Sequence, residues 1–159
     1  MKIEKVEVRE IASRFGTPVY VYSLEILRRA IQEIKKLSPV TRYAMKASSN
    51  VRILQEMLAN GVKIDAVSVY EVQRAIRAGY KAEDICFTSD VFFNSSDVNY
   101  CLENNIYCNC GTLGMVEEYG QALKKHVTGS PKISIRINPG EGAGPVSYTH
   151  LTLPTNREV

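Results

Sequence analysis

From Thr41 onward the chain alternates between two textures, and this alternation restricts the fold more than any other feature. Short apolar runs stand at RYAM (42–45), VKIDAV (62–67), DICF (84–87), NIYC (105–108) and KISIRI (132–137). Amphipathic segments lie between them. In NVRILQEMLANG, Ile53, Leu54, Met57 and Leu58 share one helical face, Asn50 is placed as an N-cap and Gly61 as a stop. SVYEVQRAIRAGY repeats the scheme with Val72, Ala75 and Ile76 inward and Gly79 at its end, and SSDVNYCLENN and TLGMVEEYGQALKK supply two more helices. Strands recur about every 20 to 27 residues, the period of one strand plus one helix. An α/β fold with a parallel sheet follows, because each return to the same end of such a sheet takes a crossover helix. A doubly wound sheet and part of a β/α barrel both satisfy the pattern, and both gather ligands beyond the carboxyl ends of the strands. Lys46, Asp65, Ser68, Thr88, Ser89 and Asn138 fall at or just past those ends.

Bulk properties exclude several functions. A chain of 159 residues, 45% hydrophobic, can bury one real core. Its net charge of +3 is spread among interspersed acids and bases, without the basic stripe that nucleic acid demands. The amino terminus, MKIEKVEVRE, is charged throughout, and no long uncharged apolar run follows, so neither a leader nor a membrane span is expected and the cytoplasm is the expected compartment. Cys86, Cys101, Cys108 and Cys110 would remain thiols there. The C-x-C pair at 108 and 110 has neither His126 nor His150 at a usable spacing, so two buried thiols on the face of Ile106 are expected and no metal. Ahead of the array, residues 1–40 are expected to supply a strand in FGTPVYVYS (15–23) and the helix LEILRRAIQEIKKL, the strand pairing with something outside the repeat.

Four residues could carry chemistry, each with a plainer reading beside it. Lys46 directly follows YAM at the rim: a partly desolvated amine there is a nucleophile toward an aldehyde, and a fully solvated one merely ends a strand. Asp65 interrupts an apolar strand and needs a partner, either a neighbouring lysine or arginine, the commoner outcome, or a bound ligand. Glu71 completes a Ser68-Val69-Tyr70-Glu71 capping box. Arg136 and Ser134 alternate with Ile133, Ile135 and Ile137, which aims the guanidinium at the ligand side, where it could hold an anion or position the lysine. GEGAG (140–144) has no Lys-Ser or Lys-Thr after it and is a weak phosphate-loop signal.

FGTPVYVYS, YAMKASSN, IDAVSVYE, AGY, ICFTS and SIRINPGEGAG stand in the order and spacing of the amino-terminal half of the diaminopimelate decarboxylases, and over about residues 10–144 the chain resembles that family. These are fold-type III pyridoxal-phosphate enzymes related to ornithine and arginine decarboxylases. The resemblance implies a partial (β/α)8 TIM barrel over 41–144, about five of the eight strands. It implies pyridoxal 5'-phosphate as cofactor and matches Lys46 to the lysine that bonds to the cofactor aldehyde. Asp65, Glu71 and Arg136 match residues lining the cofactor pocket. It further implies decarboxylation of meso-2,6-diaminopimelate to L-lysine by a homodimeric full-length parent. Another basic amino-acid decarboxylase, or a non-catalytic cofactor-binding relative, is the alternative. Val69-Tyr70 and the FTSDVFFNSSD loop depart from the commoner family pattern and bear on substrate choice. After Gly144, the run PVSYTHLTLPTNREV is similar to a translated sequencing-library adapter, so residues 145–159 are expected to be non-native and the chain an inactive, marginally folded amino-terminal fragment.

Overall fold

A computed structural model describes residues 1–89, 94–125 and 133–137. It begins with a short antiparallel hairpin of β1 (Lys2–Ile3) and β2 (Val6–Glu7), then α1 (Val8–Phe15) and α2 (Leu24–Lys35). The hairpin and α1 were not expected: two-residue strands carry no readable period, and α1 buries no residue. The strand expected at 15–23 does not form. Residues 16–23 pair with nothing in a ladder, and Val19, Tyr20, Val21 and Tyr22 are all exposed, Tyr20 to 91%. Alternation alone does not make a strand when no neighbour takes up its backbone N–H and C=O groups.

The array itself forms as expected. In chain order it runs β3 (Arg42–Ala44), α3 (Val51–Ala59), β4 (Lys63–Ala66), α4 (Val69–Ala78), β5 (Ile85–Ser89), α5 (Ser95–Glu103), β6 (Tyr107–Cys110), α6 (Leu113–Leu123) and β7 (Ile133–Ile135). The five strands make one sheet in the order β3-β4-β5-β6-β7, every pair parallel. A doubly wound sheet reverses its strand order at a switch point and carries helices on both faces. Here the order never reverses, so the winding is that of a barrel, with five strands in an open sheet.

Local chemistry sets the element ends. Asn50, Ser68, Asn94 and Thr112 each accept a backbone N–H at the start of α3, α4, α5 and α6. Gly79 ends α4 at φ 107°, a conformation that favours glycine, and a Cβ added there would press on Leu58 Cδ2 at 3.3 Å. Strand β6 begins two residues later than expected because Asn105 takes a left-handed φ of 54° and turns the chain. In α4 the inward face is Val69, Val72, Ala75 and Ala78, with Ile76 displaced to the exposed side.

Burial divides the sheet into two unlike faces. Ile64 and Ala66, Ile85 and Phe87, and Cys108 and Cys110 point to the helices and are buried against Leu54, Val72, Val98 and Met115. The expected burial of the Cys108–Cys110 pair is thus observed, and all four cysteines are free thiols. A second cluster of Ile31, Ile53, Met57 and Val62 seats α2 on α3. Beside it, the Arg28 guanidinium forks onto the Glu56 carboxylate, Nε to Oε1 at 2.6 Å and Nη2 to Oε2 at 2.9 Å, and Asn60 Nδ2 adds a third donor. No helix among the described residues is long and apolar enough to cross a membrane. Asn138, the histidines, GEGAG and the tail 145–159 lie outside the described residues.

Two predictions test this packing. The buried Tyr80 hydroxyl is shared between Leu54 O at 3.1 Å and Val62 O at 3.0 Å, tying the middle of α3 to the residue just before β4. Tyr80→Phe is expected to lower stability by about 1–2 kcal/mol, measured by urea unfolding, because two carbonyls lose their donor. The second concerns pH. The Arg28 guanidinium, ahead of smaller contributions, holds the Glu56 carboxyl below the usual glutamate range. A depressed folded-state pKa gives stability that is complete above the unfolded value, about 4.3, and lost as pH falls through the folded one. The urea-midpoint difference between the parent and Glu56→Gln should therefore be full at neutral pH and shrink below about pH 4.

Candidate functional site

Lys46 lies in a single 3-10 turn, Met45–Ala47, that follows β3 directly. Met45 is buried and anchors the turn in the core, so the strand ends one residue earlier than its apolar run. The following loop is held at three points. Tyr43 Oη donates to Ser48 O at 3.2 Å, Arg74 Nη1 donates to Ser49 Oγ at 2.7 Å, and Asn50 caps α3. Lys46 itself is exposed, and its amine has no hydrogen bond or ion pair to any described residue. The loop is therefore fixed while the amine it presents has no partner among the described residues, the condition for condensation with an aldehyde rather than for a structural ion pair.

Register places Asp65 beside this turn. Ala44, two residues before Lys46, pairs with Asp65 across β3 and β4. Asp65 is half-buried on the sheet face away from the helices, and its Oδ1 accepts the Thr88 hydroxyl proton at 2.7 Å. A basic partner was the expected one. The structure gives a neutral donor instead, because Lys63 on the same face is paired with Asp84 at 2.9 Å near the opposite end of the sheet, and Arg42 donates to Ile64 O and Asp84 O. Asn109 Nδ2 lies 3.5 Å from Thr88 Oγ1, and Ser134 Oγ donates to Asn109 Oδ1 at 2.9 Å. Polar side chains thus cross four strands on the face that a closed barrel would turn inward.

The other two candidates are placed differently. Glu71 is engaged at the start of α4, its N–H donating to Ser68 Oγ at 3.3 Å and its Oε2 accepting from Val67 N at 2.8 Å. This is the expected capping box, displaced by one residue, since the carboxylate takes the N–H of Val67 instead of that of Ser68. Arg136 continues β7, its N–H donating to Cys110 O at 2.8 Å. Arg136 and Lys46 therefore stand at opposite edges of the open sheet, four strand spacings or ~19 Å apart along it. The structure brings Lys46 and Asp65 to adjacent strands and leaves Arg136 remote from both. Sequence reasoning missed Asn109. The available signal was an amide standing between two buried thiols, Cys108 and Cys110, which alternation assigns to the opposite face.

The family profile described as "Pyridoxal-dependent decarboxylase, pyridoxal binding domain" matches residues 24–153. Among characterised proteins, the chain is 38% identical over 138 residues to the diaminopimelate decarboxylase of Escherichia coli strain K12, covering 84% of this chain and 31% of that protein. It is 39% identical over 137 residues to the Streptomyces coelicolor enzyme of the same name, covering 84% and 30%. The chain thus spans under a third of the length of these relatives. Among solved structures, a diaminopimelate decarboxylase superposes with a TM-score of 0.74 at 37% identity, over 85% of this chain and 31% of that one. The Helicobacter pylori diaminopimelate decarboxylase complexed with L-lysine superposes at 0.77 and 28% identity, over 84% and 34%. With its singly wound parallel sheet, its exposed rim lysine and a profile match across most of its length, the chain belongs to the pyridoxal-dependent decarboxylases, as part of their pyridoxal-binding domain.

Proposed function

We propose that the protein to which these residues belong is a diaminopimelate decarboxylase, which removes carbon dioxide from meso-2,6-diaminopimelate to give L-lysine. The observation that carries this reading is the Lys46 amine, unpaired among the described residues, on a fixed turn beside the hydrogen-bonded Asp65 carboxylate, in a chain 38% identical to enzymes of that name. The residues present fit pyridoxal phosphate: an amine to bond its aldehyde carbon, and a carboxylate whose second oxygen has no hydrogen-bond partner among the described residues. When bound, the cofactor supplies an electron sink for the electrons released as carbon dioxide leaves. Lys46 Nζ would hold the cofactor through its aldehyde carbon. Asp65 fixes a negative charge one strand away. Glu71 and Arg136 line the same pocket, Arg136 once further strands bring the edge of β7 around. The same reading makes the protein a cytoplasmic homodimer, a compartment in keeping with four free thiols.

The five sheet strands among the described residues do not enclose the polar face, so the 159-residue chain is expected to hold the cofactor weakly and turn over no substrate. Two experiments separate the parts of this reading. In the 159-residue chain, pyridoxal phosphate followed by borohydride reduction should label Lys46 ahead of every other lysine, read by peptide mass spectrometry; even labelling across the lysines would remove the cofactor assignment. In a polypeptide completed to the length of its relatives, meso-diaminopimelate should yield L-lysine and carbon dioxide, and Lys46→Ala should reduce turnover to background. Consumption of ornithine or arginine alone would overturn the substrate.

A further inference from the structure

The polar chain across the sheet has a direction, fixed by counting protons. An ionised carboxylate only accepts, so the single Thr88 hydroxyl proton goes to Asp65 Oδ1, 2.7 Å away. Thr88 Oγ1 is then left as an acceptor, facing Asn109 Nδ2 at 3.5 Å and Cys86 Sγ at 3.7 Å. With its amide nitrogen turned to Thr88, Asn109 keeps its oxygen for the Ser134 hydroxyl at 2.9 Å. Every donor from β7 to β4 points the same way, and the series ends on the one charge of the group. The short link is the last, from Thr88 to the carboxylate, as a charge-assisted bond should be.

This arrangement has a consequence for the rim. Asp65 Oδ1 is committed to Thr88, while Oδ2 has no hydrogen-bond partner among the described residues. The carboxylate is therefore held by a bond on one side, on the strand whose Asp65 pairs with Ala44, two residues before Lys46. We infer that Thr88 is a positioning residue, which sets the orientation of the Asp65 carboxylate toward a pyridoxal cofactor bonded to Lys46. This rests on the cofactor reading above. A hydroxyl that only joined β4 to β5 would support the sheet without altering what Lys46 binds.

The test uses the 159-residue chain with pyridoxal phosphate as probe, borohydride to trap the adduct, and mass spectrometry to read the cofactor concentration that half-labels Lys46. Urea unfolding midpoints are measured in parallel. Thr88→Val should raise the half-labelling concentration about tenfold, the loss of one hydrogen bond to a charged group. Thr88→Ser, which keeps the donor, should stay within about twofold of the parent. In an Asp65→Ala background, Thr88→Val should cause no further loss, since the carboxylate it positions is gone. If Thr88→Val does not fold, Thr88→Ala carries the same expectation. Labelling of Thr88→Val equal to the parent, failure of Thr88→Ser to rescue, or a full additional loss in the Asp65→Ala background overturns the inference alone. A parent chain that shows no preference for Lys46 overturns the cofactor reading and this inference with it.

Discussion

Each crossover in this chain leads a strand to its immediate neighbour on the same side, so the helices α3 to α6 all come to one face of the sheet. That one-sided covering is the constraint on which the remaining features depend. It buries Ile64, Ile85, Phe87, Cys108 and their neighbours under the helices, and at 20–33 cal/mol per Å² of apolar surface this burial is the main source of stability. Among the described residues it also leaves the opposite face to polar groups that can be half-hydrated and mutually bonded. The core and the candidate site are thus two sides of the same five strands.

The division explains how a solvent-accessible lysine can be accurately placed. Met45 is buried, Tyr43 and Arg74 hold the two serines that follow, and Asn50 starts the next helix, so backbone on either side of Lys46 is tied to the packed face. Only the side chain of Lys46 is released to the rim. Asp65 is treated in the complementary way, with its backbone in the ladder and one carboxylate oxygen bonded across to the next strand. Rigid surroundings with an atom on each residue that has no partner among the described residues are what a site needs if binding is not to spend its free energy on ordering side chains.

Much of the fold was legible before any coordinates. Residues 51–60 and 69–79 show helical spacing, polar N-caps and a terminal glycine, all local signals, and both helices form where those signals place them. Failures occur where the deciding partner is distant in sequence. FGTPVYVYS has strand-like alternation yet pairs with nothing in the described residues, because pairing is a property of two segments. NIYC is displaced by two residues because the left-handed backbone at Asn105 ends the preceding turn later than apolarity suggests. In the site, Lys46 was legible from its position after an apolar run, and Glu71 from the capping-box spacing. The partner of Asp65 was not, since an acidic residue in a strand announces only that it needs one.

The sequence by itself determined the order of elements, the presence of Lys46 at a strand end and the residues that start and stop the helices, because these follow from periodicity and backbone chemistry within a dozen residues. Only the tertiary structure decided that the sheet is singly wound, that Asp65 meets Thr88 instead of a cation, and that Arg136 stands at the far edge from Lys46. Strand order and register set these outcomes. A shift of one residue in the pairing of β4 with β5 would turn Thr88 toward the helices, and no local feature of either strand records which alignment is taken.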